Sequence, residues 1–215
     1  MATQEPSIPD TRQGRRKAAT RDKIQTAAEQ LFAERGYAAT SIEDISEVAD
    51  VAVRTIYMHF PSKAAVMLAY FDDWVSAFIE EVLRRPVGEP VVDTVREALQ
   101  AMNVAGWVDR VENKDGRVHP LAEHLDSGSP DIAGHILQRW MHEMDRLTDD
   151  ATTRGDYPKG SLEPRARAVA VFASWISAMS AARSQPQDNN SNRLRRSKHD
   201  SPGLEILSLI TSGSL

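Results

Sequence analysis

The sequence contains no cysteine. That excludes disulfides, thiolate nucleophiles and Cys-ligated zinc, and it fits a reducing cytoplasm. No uninterrupted apolar run approaches the ~18 residues that a membrane span requires. Met1 to Lys17 are polar and basic and lack the apolar stretch of a secretory signal. A soluble cytoplasmic protein with no membrane partner is expected. Catalytic motifs are scarce as well. There is no nucleophile elbow, no glycine-rich phosphate loop and no convincing carboxylate pair. His142-Glu143 opens like a zinc-binding HExxH helix, but Arg146 stands where the second His must be. His119 and His124 are five apart and fall on different helix faces. His135 and His142 share a face at seven apart, a spacing that core or solvated histidines also show. No enzyme activity, cofactor or metal site is expected.

What is present is a chain of 215 residues, 41% hydrophobic, enough for a real core. The net charge of −5 is unevenly spread. Residues 1–63 carry nine basic and nine acidic side chains, so the remainder holds the whole negative balance. Within 12–23, Arg12, Arg15, Arg16, Lys17, Arg21 and Lys23 face Asp22 alone. Positive potential at one end suits a polyanion such as nucleic acid, although such clusters also occur in solvated tails.

Hydrophobic spacing is helical throughout, and no strand alternation or internal repeat appears. Residues 1–17, with Pro6, Pro9 and Gly14, read as a disordered basic arm. Ile24, Ala27, Ala28, Leu31 and Phe32 then form one helical stripe, with Thr20 as the expected N-cap and Gly36 as the stop. Ser41-Ile42-Glu43-Asp44 reads as a capping box opening a second helix, which carries Ile45, Val48 and Ala49 inward. After a turn at Asp50 and Val51, a short helix spans about 53–59. Ser62 then caps a long helix to about Arg84 with Leu68, Phe71, Val75, Phe78, Ile79 and Val82 as its stripe, stopped by Pro86. Further helices follow around Val91 to Val108, Ile132 to Leu147, and Glu163 to Arg183. The last is rich in Ala and Ser, as a close helix seam requires. Residues 184–202 read as a polar linker before an apolar end at 204–210. The fold class is all-α. It comprises a three-helix helix-turn-helix domain over 18–63 and a helical-bundle domain over 64–215.

The most specific stretch runs from Thr40 to Lys63, TSIEDISEVADVAVRTIYMHFPSK. Two short helices with a tight turn between them are the arrangement that puts the second helix into a DNA major groove. Arg54, Thr55, Tyr57 and His59 lie on its expected outward face. Arg reads guanine with two hydrogen bonds, Thr touches a thymine methyl, and Tyr bonds to phosphate. Phe32, Gly36-Tyr37, Thr40-Ser41-Ile42, Asp44-Ile45, Ala49, Val51, Thr55-Ile56-Tyr57, His59-Phe60 and Ser62-Lys63 together resemble the tetracycline-repressor (TetR) family of regulators. The resemblance implies a homodimer on a pseudo-palindromic DNA operator. It places Arg54 and Thr55 on bases and Thr40, Tyr57, His59 and Lys63 on phosphates, with Ser41 capping its helix beside a phosphate. The basic arm, Arg15, Arg16 and Lys17, joins this DNA-binding set. Two positions depart from the family pattern. Asp50 replaces the favoured turn Gly, and Ala52 replaces the Ser that caps the recognition helix, a loss of about 1 kcal/mol.

The resemblance further implies that the C-terminal helices bind a small-molecule effector that releases a repressor from DNA. Met102, Trp107, His119, His124, Trp140, Met141, Met144 and Trp175 are the side chains able to line such a pocket, or simply to fill the core. The alternative is an all-α small-molecule- or metal-binding protein whose helix-turn-helix no longer reads DNA.

Overall fold

A computed structural model describes residues 11–107 and 129–184, the last eleven of them by backbone alone. Among the described residues every regular element is a helix. The chain divides into two compact units, Met1–Asp72 and Asp73–Leu215. No described helix is long and apolar enough to cross a membrane.

The first helix, α1 (Arg12–Arg35), starts earlier than the sequence suggests. Thr11 is the cap, its hydroxyl accepting from the Gly14 N–H at 3.1 Å. Thr20 lies inside the helix and donates to the Arg16 carbonyl at 2.9 Å. Arg15, Arg16 and Lys17 therefore sit on helix, exposed, where a disordered arm is expected. Gly36 ends α1 as predicted. Its φ of +82° strains any side-chain-bearing residue, and its N–H returns to the Phe32 carbonyl at 2.9 Å.

Two short helices follow, α2 (Ile42–Val48) and α3 (Val53–His59). The expected long helix after Ser62 is two helices, α4 (Lys63–Met67) and α5 (Ala69–Arg84). They break at buried Leu68, which leaves helical geometry at ψ +14°. α1 to α4 share one core. Ile24, Ala28 and Leu31 of α1 meet Ile42 and Ile45 of α2, Ile56 of α3, and Ala65 and Val66 of α4. Each buried Ile or Leu there stabilises by roughly 1.5–3 kcal/mol relative to exposure. Val48 is not part of this core, being 47% exposed. The inward face of α2 is Ile42, Ile45 and Ala49, and Val48 falls beside it. The core also takes in Ala69, so the first unit extends past Lys63, where the sequence reading closes it.

In the second unit α5 buries Val75, Phe78, Ile79 and Val82, as its stripe predicts. α6 (Val91–Val104) buries Val95, Ala98 and Met102. The longest described helix, α7 (Pro130–Arg154), packs antiparallel to α8 (Glu163–Ser184). Asp145 pairs with Arg165 at 2.7 Å, and the Trp140 ring centroid lies 6.3 Å from that of Phe172.

Candidate nucleic-acid interface

The turn between α2 and α3 sets the site. Asp50 takes the left-handed backbone at φ +48°, which Asp tolerates better than most residues. Ser46 stitches the turn, its hydroxyl donating to the Val51 carbonyl at 2.6 Å while the Val51 N–H donates to the Ser46 carbonyl at 3.1 Å. Lys23 of α1 lies 3.5 Å from the Asp50 carboxylate. The departure at Asp50 thus leaves the turn formed. α2 begins with a complete capping box. Ser41 Oγ accepts from the Asp44 N–H at 3.1 Å, and Asp44 Oδ2 accepts from the Ser41 N–H at 2.8 Å. The Ser41 N–H and the Ser41 hydroxyl, which donates to the same Oδ2 at 2.7 Å, hold the Asp44 carboxyl below its ordinary pKa, helped by Arg35.

α3 buries Ile56 completely and turns Arg54, Tyr57 and Met58 to solvent, with Thr55 half-buried. Spacing of three and four residues puts Arg54, Tyr57 and Met58 on one face. Tyr57 is 52% and Met58 72% exposed. Met58 is absent from the sequence-derived set, yet its place four residues after Arg54 is signal enough to have included it. Ala52 caps α3 in extended geometry without a side-chain bond. Ala52→Ser supplies that missing acceptor, so it is expected to stabilise the protein by about 1 kcal/mol. Urea unfolding checks this, and an unchanged midpoint would mean that α3 needs no cap.

Two expected phosphate ligands have inward roles in this structure. Thr40 is buried, and its hydroxyl donates to the Gly36 carbonyl at 2.9 Å. Its side chain cannot reach phosphate without leaving the core. Lys63 Nζ donates to the Tyr37 and Thr40 carbonyls, both at 2.9 Å, and sits 4.2 Å from the Tyr37 ring centroid. Two of its three donors tie the start of α4 to the turn before α2.

His59 ends α3 half-buried, with Nδ1 enclosed and without a hydrogen-bond partner. Burial first, then Lys17 and Arg21 of α1, push its pKa below the ordinary histidine value. Arg21 also lies 5.1 Å from the centre of the Phe60 ring. The basic start of α1 and the end of α3 thus share one electropositive region. The folded state resists protonating His59, so this residue lowers stability as pH falls through the unfolded value near 6.5 toward the folded one. Melting temperature should therefore drop less between about pH 7 and 5 in His59→Gln than in the wild type. Parallel pH profiles would refute this origin.

Of the side chains proposed for a ligand pocket, Met102 is buried, Trp107, Trp140 and Met144 are half-buried, and Met141 is 47% exposed. His119 and His124 lie outside the described residues, as does the Trp175 side chain. His135 is half-buried and His142 exposed, and among the described residues no three His, Asp or Glu side chains converge for a metal.

A stitched turn joining two short helices, the second presenting arginine and tyrosine outward beside a basic helix start, defines a helix-turn-helix protein. The sequence signature of bacterial regulatory proteins of the tetR family matches residues 24–70. The chain is 31% identical over 134 residues to the HTH-type transcriptional regulator TcmR of Streptomyces glaucescens, covering 62% of this chain and 59% of TcmR. It is 30% identical over 152 residues to an HTH-type transcriptional regulator of Mycobacterium bovis, covering 71% of this chain and 69% of that protein. The chain belongs to the tetR family. Among solved structures, Thermus thermophilus FadR, a TetR family repressor in complex with lauroyl-CoA, has the same fold. It aligns with a TM-score of 0.50 at 22% identity, covering 91% of this chain and 95% of FadR.

Proposed function

We propose that this protein is a cytoplasmic DNA-binding repressor without enzyme activity. It grips a pseudo-palindromic operator as a homodimer and is released by a small molecule bound in its C-terminal body. The unit that ends at Asp72 forms the DNA-reading domain, and the unit from Asp73 the ligand-binding and dimerisation domain. The observation that carries the reading is the outward face of α3, where Arg54, Tyr57 and Met58 are displayed without a packing role. Arg54 and Thr55 read base edges. Tyr57 and His59 contact phosphate together with Arg15, Arg16 and Lys17, while Ser41, Thr40 and Lys63 hold the frame. The intact turn at Asp50 disfavours a degenerate helix-turn-helix.

Dimerisation is supported by a solvent-facing apolar strip on the α7–α8 hairpin. Leu137 and Met141 of α7 lie on the same stretch as Val169 of α8, and all three are about half exposed. The Asp145–Arg165 pair sets Met141 opposite Val169 in an antiparallel register. Such a strip is costly to leave in water and suits a self-complementary two-fold contact.

Selection of binding sites from random duplex DNA tests the reading. The expected product is a palindrome with half-sites about one helical turn, roughly 34–36 Å, apart. Sedimentation at micromolar concentration should show a dimer. No enrichment at any of several salt concentrations would sink the DNA reading, and a monomer would sink the dimer.

A further inference from the structure

Among the described residues of the first unit, the large apolar side chains that stand exposed are Val48, Tyr57 and Met58, and all three belong to α2 and α3. Tyr57 carries a hydroxyl that suits phosphate. Met58 has no strong hydrogen-bonding group to offer, yet at 72% it is the most exposed of the three. Ile56 holds α3 to the core, and Met58 takes no part in that packing. Thr55, the methyl reader expected from residue type, is short and half-buried.

The place of Met58 on α3 decides what it meets. It follows Arg54 by four residues, so the two side chains share one face with Cβ atoms roughly 5–6 Å apart. Stacked base pairs repeat at about 3.4 Å, so this pair spans at most about two base steps. The major groove presents one apolar feature, the C5 methyl of thymine. An unbranched thioether is flexible enough to cover it, and the contact takes apolar surface of both partners out of water. The neighbours favour nucleic acid over an apolar protein face. Arg54 stands exposed on the same face, and Arg15, Arg16 and Lys17 are exposed at the start of α1. Given that α3 is the reading helix, we propose that Met58 reads a thymine by its methyl group, within two base pairs of the guanine held by Arg54, in each half-site.

The test is titration of the full-length protein with its selected operator, and with duplexes in which each thymine in turn is replaced by deoxyuridine. That replacement removes the methyl and leaves the hydrogen-bonding edge unchanged. The wild type is expected to lose affinity about fourfold when one half-site is changed and about fifteenfold when both are, the worth of one buried methyl per half-site. Met58→Ala should bind the unmodified operator at least about tenfold more weakly than the wild type, and deoxyuridine at the sensitive position should cost it nothing further. The side chain is exposed, so the variant should fold, and circular dichroism checks this. Arg54→Ala marks the guanine as the base pair where selectivity is lost. A sensitive thymine more than two base pairs from that guanine would overturn the assignment. So would a methyl whose removal costs Met58→Ala as much as the wild type, since another side chain or the shape of the duplex would then be reading it. A wild type that binds its operator tightly but ignores every thymine methyl would overturn the contact and leave the DNA reading standing. Failure to select any operator would sink the DNA reading itself, and this contact with it.

Discussion

Arg54→Ala/Tyr57→Ala is expected to lower affinity for the selected operator at least about a hundredfold, because a lost bidentate Arg–base contact alone removes roughly 1–3 kcal/mol per half-site. The variant should fold normally. Both side chains are exposed, and the core beneath them is held by Ile56, Ile45 and Leu31. Surface changes of this kind usually stay within about ±0.5 kcal/mol. The loss should also have a particular signature. Base contacts carry selectivity, whereas phosphate contacts carry salt dependence. The double variant should therefore bind selected and scrambled duplexes alike, with much of the salt slope retained. Arg16→Ala/Lys17→Ala should weaken both duplexes equally and flatten the slope by about 0.9 per lost phosphate contact. Operator titrations of the two variants over a range of salt separate these outcomes. A double variant at positions 54 and 57 whose preference for the selected site is undiminished would remove Arg54 and Tyr57 from the reading role.

Much of this was legible in local sequence because its causes are local. The α1 stripe of Ile24, Ala28 and Leu31 repeats at helical period and is buried. The capping box at Ser41 and Asp44 is a four-residue event and forms as written. The same holds for the turn at Asp50 and the stop at Gly36. What escaped has nonlocal or competing causes. Thr11 and Thr20 are equally good caps by residue type, and residues 12–19 carry no apolar periodicity that would choose between them. The break at Leu68 leaves a continuous apolar stripe, because a buried Leu fits both the end of α4 and the start of α5. Val48 shows how little a helix of only seven residues specifies its buried face when Ile42, Ile45, Val48 and the adjoining Ala49 all compete for it. Lys63 reaches carbonyls 26 and 23 residues earlier, and no spacing rule joins residues so far apart. Read alone, it is an outward cation at a helix start. In the fold it is a clasp between the α1–α2 turn and α4.

Glu143→Ala should lower stability by about 3–5 kcal/mol, since it removes the anion from a largely buried ion pair. In sequence Glu143 follows His142 and suggests half of a zinc motif. In the structure it is 2% exposed and accepts from Arg139 at 2.9 Å, with Arg146 at 3.5 Å from its other oxygen. Arg139 also donates to Ser76 of α5 at 2.7 Å, and Arg146 pairs with Glu80 of α5. One carboxylate on α7 thus neutralises two guanidinium groups that both reach across to α5. Truncation takes the Glu143 carboxylate from a largely buried Arg139, whereas Arg146 still has Glu80 and open water. The cost therefore falls mainly on Arg139. That asymmetry gives a sharper test than the single variant. Glu143→Leu/Arg139→Leu removes both members of the buried pair and fills their space with apolar atoms. Such replacements are often neutral or stabilising by about 1–4 kcal/mol. Urea unfolding of the single and double variants should show a deep loss followed by recovery. A loss under about 1 kcal/mol in Glu143→Ala would mean that water reaches the cluster and the charges are not buried at all. A full loss without recovery in the double variant would assign the stability to the Arg139–Ser76 bond instead, a contact that a leucine side chain cannot make.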